Sequence, residues 1–98
     1  MVDLSVPKAI SLTVSDDTIS VELSDGRTIA VPLSWYPRLL HATQKERKNW
    51  RLIGDGNGIH WEDIDEDISV LGIVSGKPSQ ESQTSFKKWL DKKRRPRH

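Results

Sequence analysis

Three short runs near the start of the chain alternate between apolar and polar residues: AISLTV, TISVEL and RTIAV, all between Ala9 and Val31. Such alternation is typical of β-strands that bury one face. The polar residues SDD separate the first two runs, and Asp25-Gly26 separates the second from the third. Asp-Gly between alternating runs is a strong hairpin signal. The pattern therefore predicts a three-stranded antiparallel meander.

Two short helices are predicted next. Ser34 is a candidate N-cap for WYPRLLHA, where Pro37 falls in the first turn and is tolerated. Thr43 is a candidate N-cap for TQKERKNW. Its spacing from Glu46 is that of a capping box, in which each side chain accepts a hydrogen bond from the other residue's backbone N–H.

The second half of the chain predicts a β-hairpin followed by a third helix. The runs WRLI and GIHW flank a loose, glycine-rich turn, GDGN. Further on, Ser69 can cap a helix over VLGIVS that Gly76 and Pro78 close. Four apolar residues in this part are spaced by three or four positions and are expected on one buried side: Trp61, Ile64, Ile68 and Leu71.

From the polar stretch SQESQTS onward the composition changes. Phe86, Trp89 and Leu90 recur at i, i+3 and i+4, as on the apolar edge of a short helix whose other positions are basic. So short a helix is unstable alone, and we expect it to dock on the body or to form on binding. We predict an α+β domain over residues 1–78, and a polar linker with a basic amphipathic tail over residues 79–98.

The predicted fold class is therefore α+β. Its elements are an N-terminal three-stranded antiparallel meander, two short helices, a second β-hairpin, a short helix and a basic C-terminal helical tail.

Composition excludes several function classes. The chain has 98 residues and no cysteine, which excludes disulfides, thiolate metal sites and a cysteine nucleophile. It contains no run of about 18 apolar residues that could span a membrane, and its first residues lack the pattern of a signal peptide. We therefore expect a cytoplasmic protein.

The net charge of +1 conceals an asymmetry. Residues 1–86 hold 8 basic and 13 acidic residues, whereas residues 87–98 hold 7 basic and 1 acidic. An acidic body thus carries a basic tail, which indicates an anionic partner or a tail that folds back on its own body.

Two linked motifs resemble the domain-of-unknown-function family 2442. The first is LSWYPRL, with Leu33, Trp35, Tyr36, Pro37, Arg38 and Leu39 in the family pattern; the second is NW followed by IGDGNGIHWEDIDEDIS. The similarity covers about residues 9–76, and ESQTSFKKWL is similar to an extension that some members carry. The resemblance implies a small α+β domain of bacteria and phages, found alone or fused to a helix-turn-helix domain. It also implies that the protein is one partner in a two-gene, toxin–antitoxin-like module. No catalytic residues are established for the family.

Five carboxylates crowd into EDIDED, which raises the question of a metal site. Asp63, Asp65 and Asp67 have the 1, 3, 5 spacing of a calcium loop, but positions 6 and 12 are Ile68 and Val74 in place of Gly and Glu. His60 with Glu62 and Asp63 offers nitrogen and oxygen ligands without a second histidine. We therefore predict no metal and no cofactor.

The carboxylates have a structural interpretation and a functional one. They can face water, cap backbone N–H groups or pair with Arg38 or Arg51. They can also form an acidic patch that binds a basic partner surface, made of Glu62, Asp63, Asp65, Glu66 and Asp67.

Other candidate sites have simpler interpretations. The glycine-rich GDGNG lacks the Lys-Ser/Thr of a phosphate-binding loop and reads as a hairpin turn. His41 and His60 could act as bases, but no serine lies in a Gly-x-Ser-x-Gly elbow, so we predict no enzyme. Trp35, Trp50 and Trp61 are expected in the core, and Tyr36 with its hydroxyl at the solvent.

The tail is the second candidate binding site. Its basic residues can neutralise phosphates and its tryptophan can stack on bases: Lys87, Lys88, Trp89, Lys92, Lys93, Arg94, Arg95 and Arg97. The alternatives are a solvated tail that pairs with the acidic body, and a contact with a protein partner.

Together these features favour a non-enzymatic protein-interaction module, the antitoxin-like component of a bacterial two-gene system that binds a small, toxin-like protein. The alternative is a nucleic-acid-binding or transcription-regulatory protein that acts through its tail. A small metal-dependent hydrolase is the third class. A homo-oligomer is compatible with all three.

Overall fold

A computed structural model of the chain describes residues 7–79 and 83–94. Its first half confirms the predicted meander, because β1 (Ala9–Val14), β2 (Thr18–Leu23) and β3 (Thr28–Pro32) form an antiparallel sheet in the order β1-β2-β3. The Asp-Gly hairpin works as expected: Gly26 has a φ of 91° at the turn, and the backbone N–H of Leu23 donates to the carbonyl of Arg27 at 2.8 Å.

Two short helices follow a 3-10 turn over Leu33–Trp35: α1 (Pro37–Leu40) and α2 (Gln44–Lys48). The predicted cap at Ser34 is wrong. Proline disfavours helical geometry in the residue before it, so Tyr36 is extended and the helix begins only at Pro37. The predicted capping box of α2 is confirmed, with Glu46 N–H to Thr43 Oγ1 at 3.1 Å and Thr43 N–H to Glu46 Oε1 at 2.8 Å.

The second half forms another antiparallel sheet in the order β4-β5-β6, made of β4 (Trp50–Ile53), β5 (Gly58–Trp61) and β6 (Glu66–Ser69). The hairpin of β4 and β5 was predicted, whereas β6 was not. β6 is four residues long and rich in acid, so its strand character comes from pairing with β5, where Ile68 lies opposite Ile59.

Helix α3 (Val70–Ser75) follows β6 directly. Its predicted caps are confirmed: Ser69 Oγ accepts from Gly72 N–H at 2.9 Å, and Gly76 adopts the left-handed conformation with a φ of 73°. The expected burial of Leu71 is wrong, since that side chain is 57% exposed. The helix starts only at Val70 and turns Val70 and Ile73 inward instead.

The core lies between the two sheets and the short helices. Trp61, Ile64 and Ile68 are buried as expected, and Trp35 and Trp50 are half-buried against the core. Tyr36 is also largely buried, with 4% of its surface exposed. Helix α4 (Gln83–Arg94) is the last described element. No helix within residues 7–79 and 83–94 is both long and apolar enough to cross a membrane.

Candidate functional site: an acidic turn and a docked basic helix

The outer face of the second sheet carries a row of charged side chains. In the register of this sheet, Arg51 of β4 lies opposite His60 of β5, and His60 lies opposite Asp67 of β6. Directly opposed side chains on one face of a sheet are close enough to interact. Glu62, two residues after His60, joins the same cluster.

His60 is clamped between two carboxylates. Its Nδ1 lies 2.5 Å from Asp67 Oδ1 and its Nε2 lies 2.7 Å from Glu62 Oε2, which is also 3.6 Å from Arg51. Both ring nitrogens can donate only when the imidazole is protonated. The hydrogen bonds to Asp67 and to Glu62 outweigh partial desolvation and raise the pKa of His60 above its ordinary value. When the imidazole is protonated, the site holds a cation between two anions, and the raised pKa extends that state to higher pH.

The same geometry bears on the metal question. The two nitrogens of an imidazole point to opposite sides of the ring, so Asp67 and Glu62 approach His60 from different directions and do not converge with it on one point. Asp63 is engaged elsewhere, accepting from Asn49 Nδ2 at 3.0 Å. Within the two described ranges, no group of three His, Asp or Glu residues is arranged to hold a metal ion.

The turn between β5 and β6, residues 62–65, is held rigidly from beneath; we call it the acidic turn. Ile64 anchors it in the core with 1% exposure. Arg38 of α1 donates from Nη1 to the carbonyl oxygens of Ile64 and Asp65, both at 3.1 Å. Asp65 adopts a φ of 51°, a left-handed conformation that aspartate tolerates better than most residues. These contacts hold the backbone of the turn. The side chains of Glu62, Asp63 and Asp65 are exposed, and Glu62 also pairs with His60 while Asp63 accepts from Asn49.

Glu66 lies on the inner side of β6 and is half-buried. Its Oε1 accepts from the backbone N–H of Asp67 at 3.1 Å. Burial, together with the nearby carboxylate of Glu66, raises the pKa of Tyr36. A shallow groove of about 330 Å³ runs beside β6, and its lining includes Tyr36, Glu66, Asp67, Ser69 and Lys77.

The structure therefore divides the five carboxylates of the predicted acidic patch. Glu62 and Asp67 meet at His60, Asp63 and Asp65 stand on the acidic turn, and Glu66 faces inward. Sequence reasoning treated His60 as a ligand or base and missed the clamp. A signal was present, because His60 and Glu62 are two residues apart around the end of a predicted strand and so share a face.

Helix α4 is docked on α1 through its apolar edge. The ring of Phe86 lies 5.2 Å from that of His41 and 5.8 Å from that of Trp89. Trp89 is half-buried and packs against the core, and the guanidinium of Arg38 lies 5.5 Å from its ring centre. Of the two expectations for the tail helix, docking on the body is the one observed.

A salt bridge ties the end of α4 to α2. Lys93 Nζ lies 2.7 Å from Glu46 Oε1, 3.4 Å from the carbonyl oxygen of His41 and 5.2 Å from the ring centre of Trp89. Burial acts to raise the pKa of Glu46, but hydrogen bonds from Lys93 and Thr43 outweigh it and leave this pKa lowered. Lys93 thus serves the docking of the helix itself.

The remaining basic residues of the predicted tail site differ in position. Lys87, Lys88 and Lys92 are exposed, and none forms an ion pair with a side chain in the described ranges. Arg94 ends α4, and Arg95 and Arg97 lie outside the described residues.

Comparison with known proteins places this fold. The family model described as "Protein of unknown function (DUF2442)" matches residues 9–79. A crystal structure of a protein of unknown function from Rhodospirillum rubrum is similar, with a TM-score of 0.67 and 28% identity over 79% of this chain and 95% of that one. A solution NMR structure of an uncharacterised protein from Chromobacterium violaceum, at 19% identity, shares the fold with a TM-score of 0.63 over 89% of this chain and 76% of that one. No curated protein matches the chain.

Proposed function

The chain belongs to the DUF2442 family, and we propose that it is a non-enzymatic protein-interaction module, the antitoxin-like component of a bacterial two-gene system. In this proposal it acts in the cytoplasm by binding a small, toxin-like protein. The acidic turn forms the centre of the contact and covers a basic surface of the partner.

The observation that carries the proposal is the anchoring of the backbone of the acidic turn. Ile64 and the two hydrogen bonds from Arg38 hold its backbone, so the acidic side chains start from a preformed turn before any partner arrives. A preformed surface loses less conformational entropy on binding than a flexible one. Exposed charges of one sign also speed the encounter with an oppositely charged surface and exclude partners of like charge.

The neighbouring groove supports the same surface. It opens beside β6, includes Glu66 and Asp67 in its lining, and lies next to α3, whose Leu71 is 57% exposed. The carboxylates of Glu66 and Asp67 in the lining suit a basic partner segment.

The test is a comparison of two charge-matched variants. In the first, Asp63→Asn and Asp65→Asn remove two charges from the acidic turn. Asparagine at position 65 tolerates the positive φ there, and asparagine at position 63 keeps an oxygen that can accept from Asn49. In the control, Glu22→Gln and Asp91→Asn remove two exposed charges elsewhere. Tagged full-length chains are used to isolate partners from nuclease-treated host lysate, and affinity for the recovered protein is then measured.

We expect one stoichiometric small protein whose affinity falls about tenfold, equivalent to ~1.4 kcal/mol, with the acidic-turn variant and is unchanged with the control. Expressed alone, that protein should arrest growth, and the wild-type chain should relieve the arrest better than the acidic-turn variant does. A partner that binds both variants equally, or one that is harmless when expressed alone, would overturn the proposal.

A further inference from the structure

Docking gives α4 two chemically different sides. The side toward the body carries Phe86, Trp89, Leu90 and Lys93, at i, i+3, i+4 and i+7. Lys87, Lys88 and Lys92 remain on the solvent side. The helix therefore presents a basic surface that is held in place, where the sequence alone allowed a flexible basic tail.

A second basic helix lies beside it. The salt bridge from Lys93 to Glu46 brings the end of α4 to α2, which holds three basic residues and one acidic residue. Lys45 and Lys48 of α2 are exposed, and neither is ion-paired with a described side chain. The helix α2 is itself anchored, because Trp61 Nε1 donates to the carbonyl of Arg47 at 2.9 Å.

We propose that α2 and α4 together form a binding site for the phosphodiester backbone of nucleic acid. Five exposed lysines on two fixed helices can each neutralise a phosphate and release its counterions. The acidic residues of the second sheet and its turn lie outside these helices: residues 50–69 hold six acidic residues and one Arg. Glu46 pairs with Lys93 and Asp16 pairs with Arg47, but the five exposed lysines of α2 and α4 are not ion-paired with a described side chain, which favours a polyanion as their ligand.

The position of Trp89 determines which part of the nucleic acid is contacted. Its ring packs on the body and has Arg38 and Lys93 beside it, at 5.5 and 5.2 Å from the ring centre. These contacts within the protein leave the exposed lysines as the groups best placed to meet a ligand. The contacts are therefore with phosphates, which position a protein on a duplex without reading its sequence.

An anionic membrane is a less suitable partner for the same lysines. Helices that lie on membranes insert an apolar face between the lipid headgroups and the acyl chains. The apolar edge of α4, with Phe86 and Trp89, is turned toward the body instead. In the described residues, the solvent side of α4 carries lysines and no apolar surface that could insert into a membrane.

The salt dependence of binding tests the proposal with four full-length proteins. They are wild type; K87A/K88A/K92A on α4; K45A/K48A on α2; and a control, K8A/R27A/K77A, which removes three exposed cations elsewhere. Each is titrated against a labelled duplex DNA and a labelled duplex RNA of arbitrary sequence at several salt concentrations. Circular dichroism confirms folding, and vesicles containing anionic lipid serve as the membrane arm.

For a B-form duplex, we expect the slope of log K against log salt to become shallower by about 2.7 in the α4 variant and about 1.8 in the α2 variant, or ~0.9 per lost phosphate contact. When salt rises from about 50 to 200 mM, wild type should therefore lose about 40-fold more affinity than the α4 variant does. It should lose about 12-fold more than the α2 variant does. The control should keep the wild-type slope. Either duplex binding in this manner supports the site, and the tighter one identifies the nucleic acid.

Four results would overturn it. They are the absence of duplex binding at low salt, an equal loss in the control, an α2 variant that binds like wild type, and binding to anionic vesicles without binding to either duplex.

Discussion

The protonation of the His60 ring changes the net charge on the outer face of the second sheet. Its neighbour Glu62 is close in sequence, but Asp67 reaches it only because β6 pairs with β5. Both carboxylates favour the protonated imidazole, and their placement on opposite sides of the ring suits an ion network better than a set of metal ligands. The structure therefore shows His60 linking the carboxylates of Asp67 and Glu62, where the sequence offered it as a candidate metal ligand.

Replacing His60 by Gln is expected to remove a pH-dependent part of the free energy of unfolding. The carboxylates raise the pKa of His60 in the folded chain. Protonated His60 therefore stabilises the fold fully below its unfolded pKa of about 6.5, and the contribution is lost as the pH rises through the raised folded pKa. Urea unfolding between about pH 5 and 9 should show the wild-type advantage largest in acid and shrinking above pH ~6.5.

NMR titration of the His60 ring provides the control for this prediction. Asp67→Asn should lower the pKa of His60 more than Glu62→Gln does, because the hydrogen bond to Asp67 contributes most to the rise. A wild-type pKa of His60 at or below the ordinary histidine value would contradict the clamp.

Two glycines with nearly the same positive φ form a matched pair for a second prediction. Gly56 has a φ of 90° and Gly26 of 91°, but an added Cβ would lie 2.7 Å from the Ala9 carbonyl oxygen at Gly56 and meet nothing within 4 Å at Gly26. Gly26→Ala should cost about 1–2 kcal/mol for positive φ. Gly56→Ala should cost about 1–3 kcal/mol more, because β1 must move. Equal losses in urea unfolding would show that this contact does not constrain the turn.

Among the elements, those with local signals were predicted well. The hairpin at Asp25-Gly26, the capping box of Thr43 and the caps of α3 all depend on residues a few positions apart. The elements that were missed or shifted lack such signals. β6 is four residues long and exists through its pairing with β5, and the start of α1 is set by the restriction that Pro37 places on Tyr36.

Trp89→Ala is expected to undock α4 and leave the two sheets folded. A fully buried Trp→Ala change costs about 3–5 kcal/mol, so this half-buried ring should contribute about 2 kcal/mol to docking. Because a 12-residue helix is unstable alone, hydrogen exchange of the α4 amides should accelerate roughly 30-fold, with β2 and β5 unchanged. Lys88→Ala, on the solvent side, should retain full protection. Faster exchange in β2 and β5 as well would show that α4 is part of the main cooperative unit.

Across the described residues, acidic and basic side chains concentrate on different elements. The second sheet and its turn are acidic, and α2 with α4 is basic. Arg38 stands between the two regions, since it donates to the acidic turn and lies over Trp89. Most of the tail's lysines do not neutralise the acidic body: in the described residues, the ion pair from α4 goes from Lys93 to Glu46 of α2.

This segregation predicts that the two proposed surfaces act independently. The variant with Asp63→Asn and Asp65→Asn should bind duplex with the wild-type salt slope, and K87A/K88A/K92A should bind the protein partner as wild type does, because in the described residues no side chain of one set is ion-paired with a side chain of the other. Titration of each variant against both ligands measures this. A loss of both activities in either variant would place the two ligands on one surface, or couple them through Arg38.

Short-range patterns were enough to establish the α+β class, most strands and helix caps, and the membership of the family, because alternation, capping and turn chemistry act within a few residues. The functional surfaces depend on longer contacts. Arg38 reaches carbonyls 26 and 27 residues away, and Lys93 reaches Glu46 across 47 residues. Packing against a shared core decides three things. It decides which carboxylates face solvent, which side of α4 stays exposed, and that α2 lies beside α4. That packing juxtaposes residues whose separation along the chain carries no periodic signal.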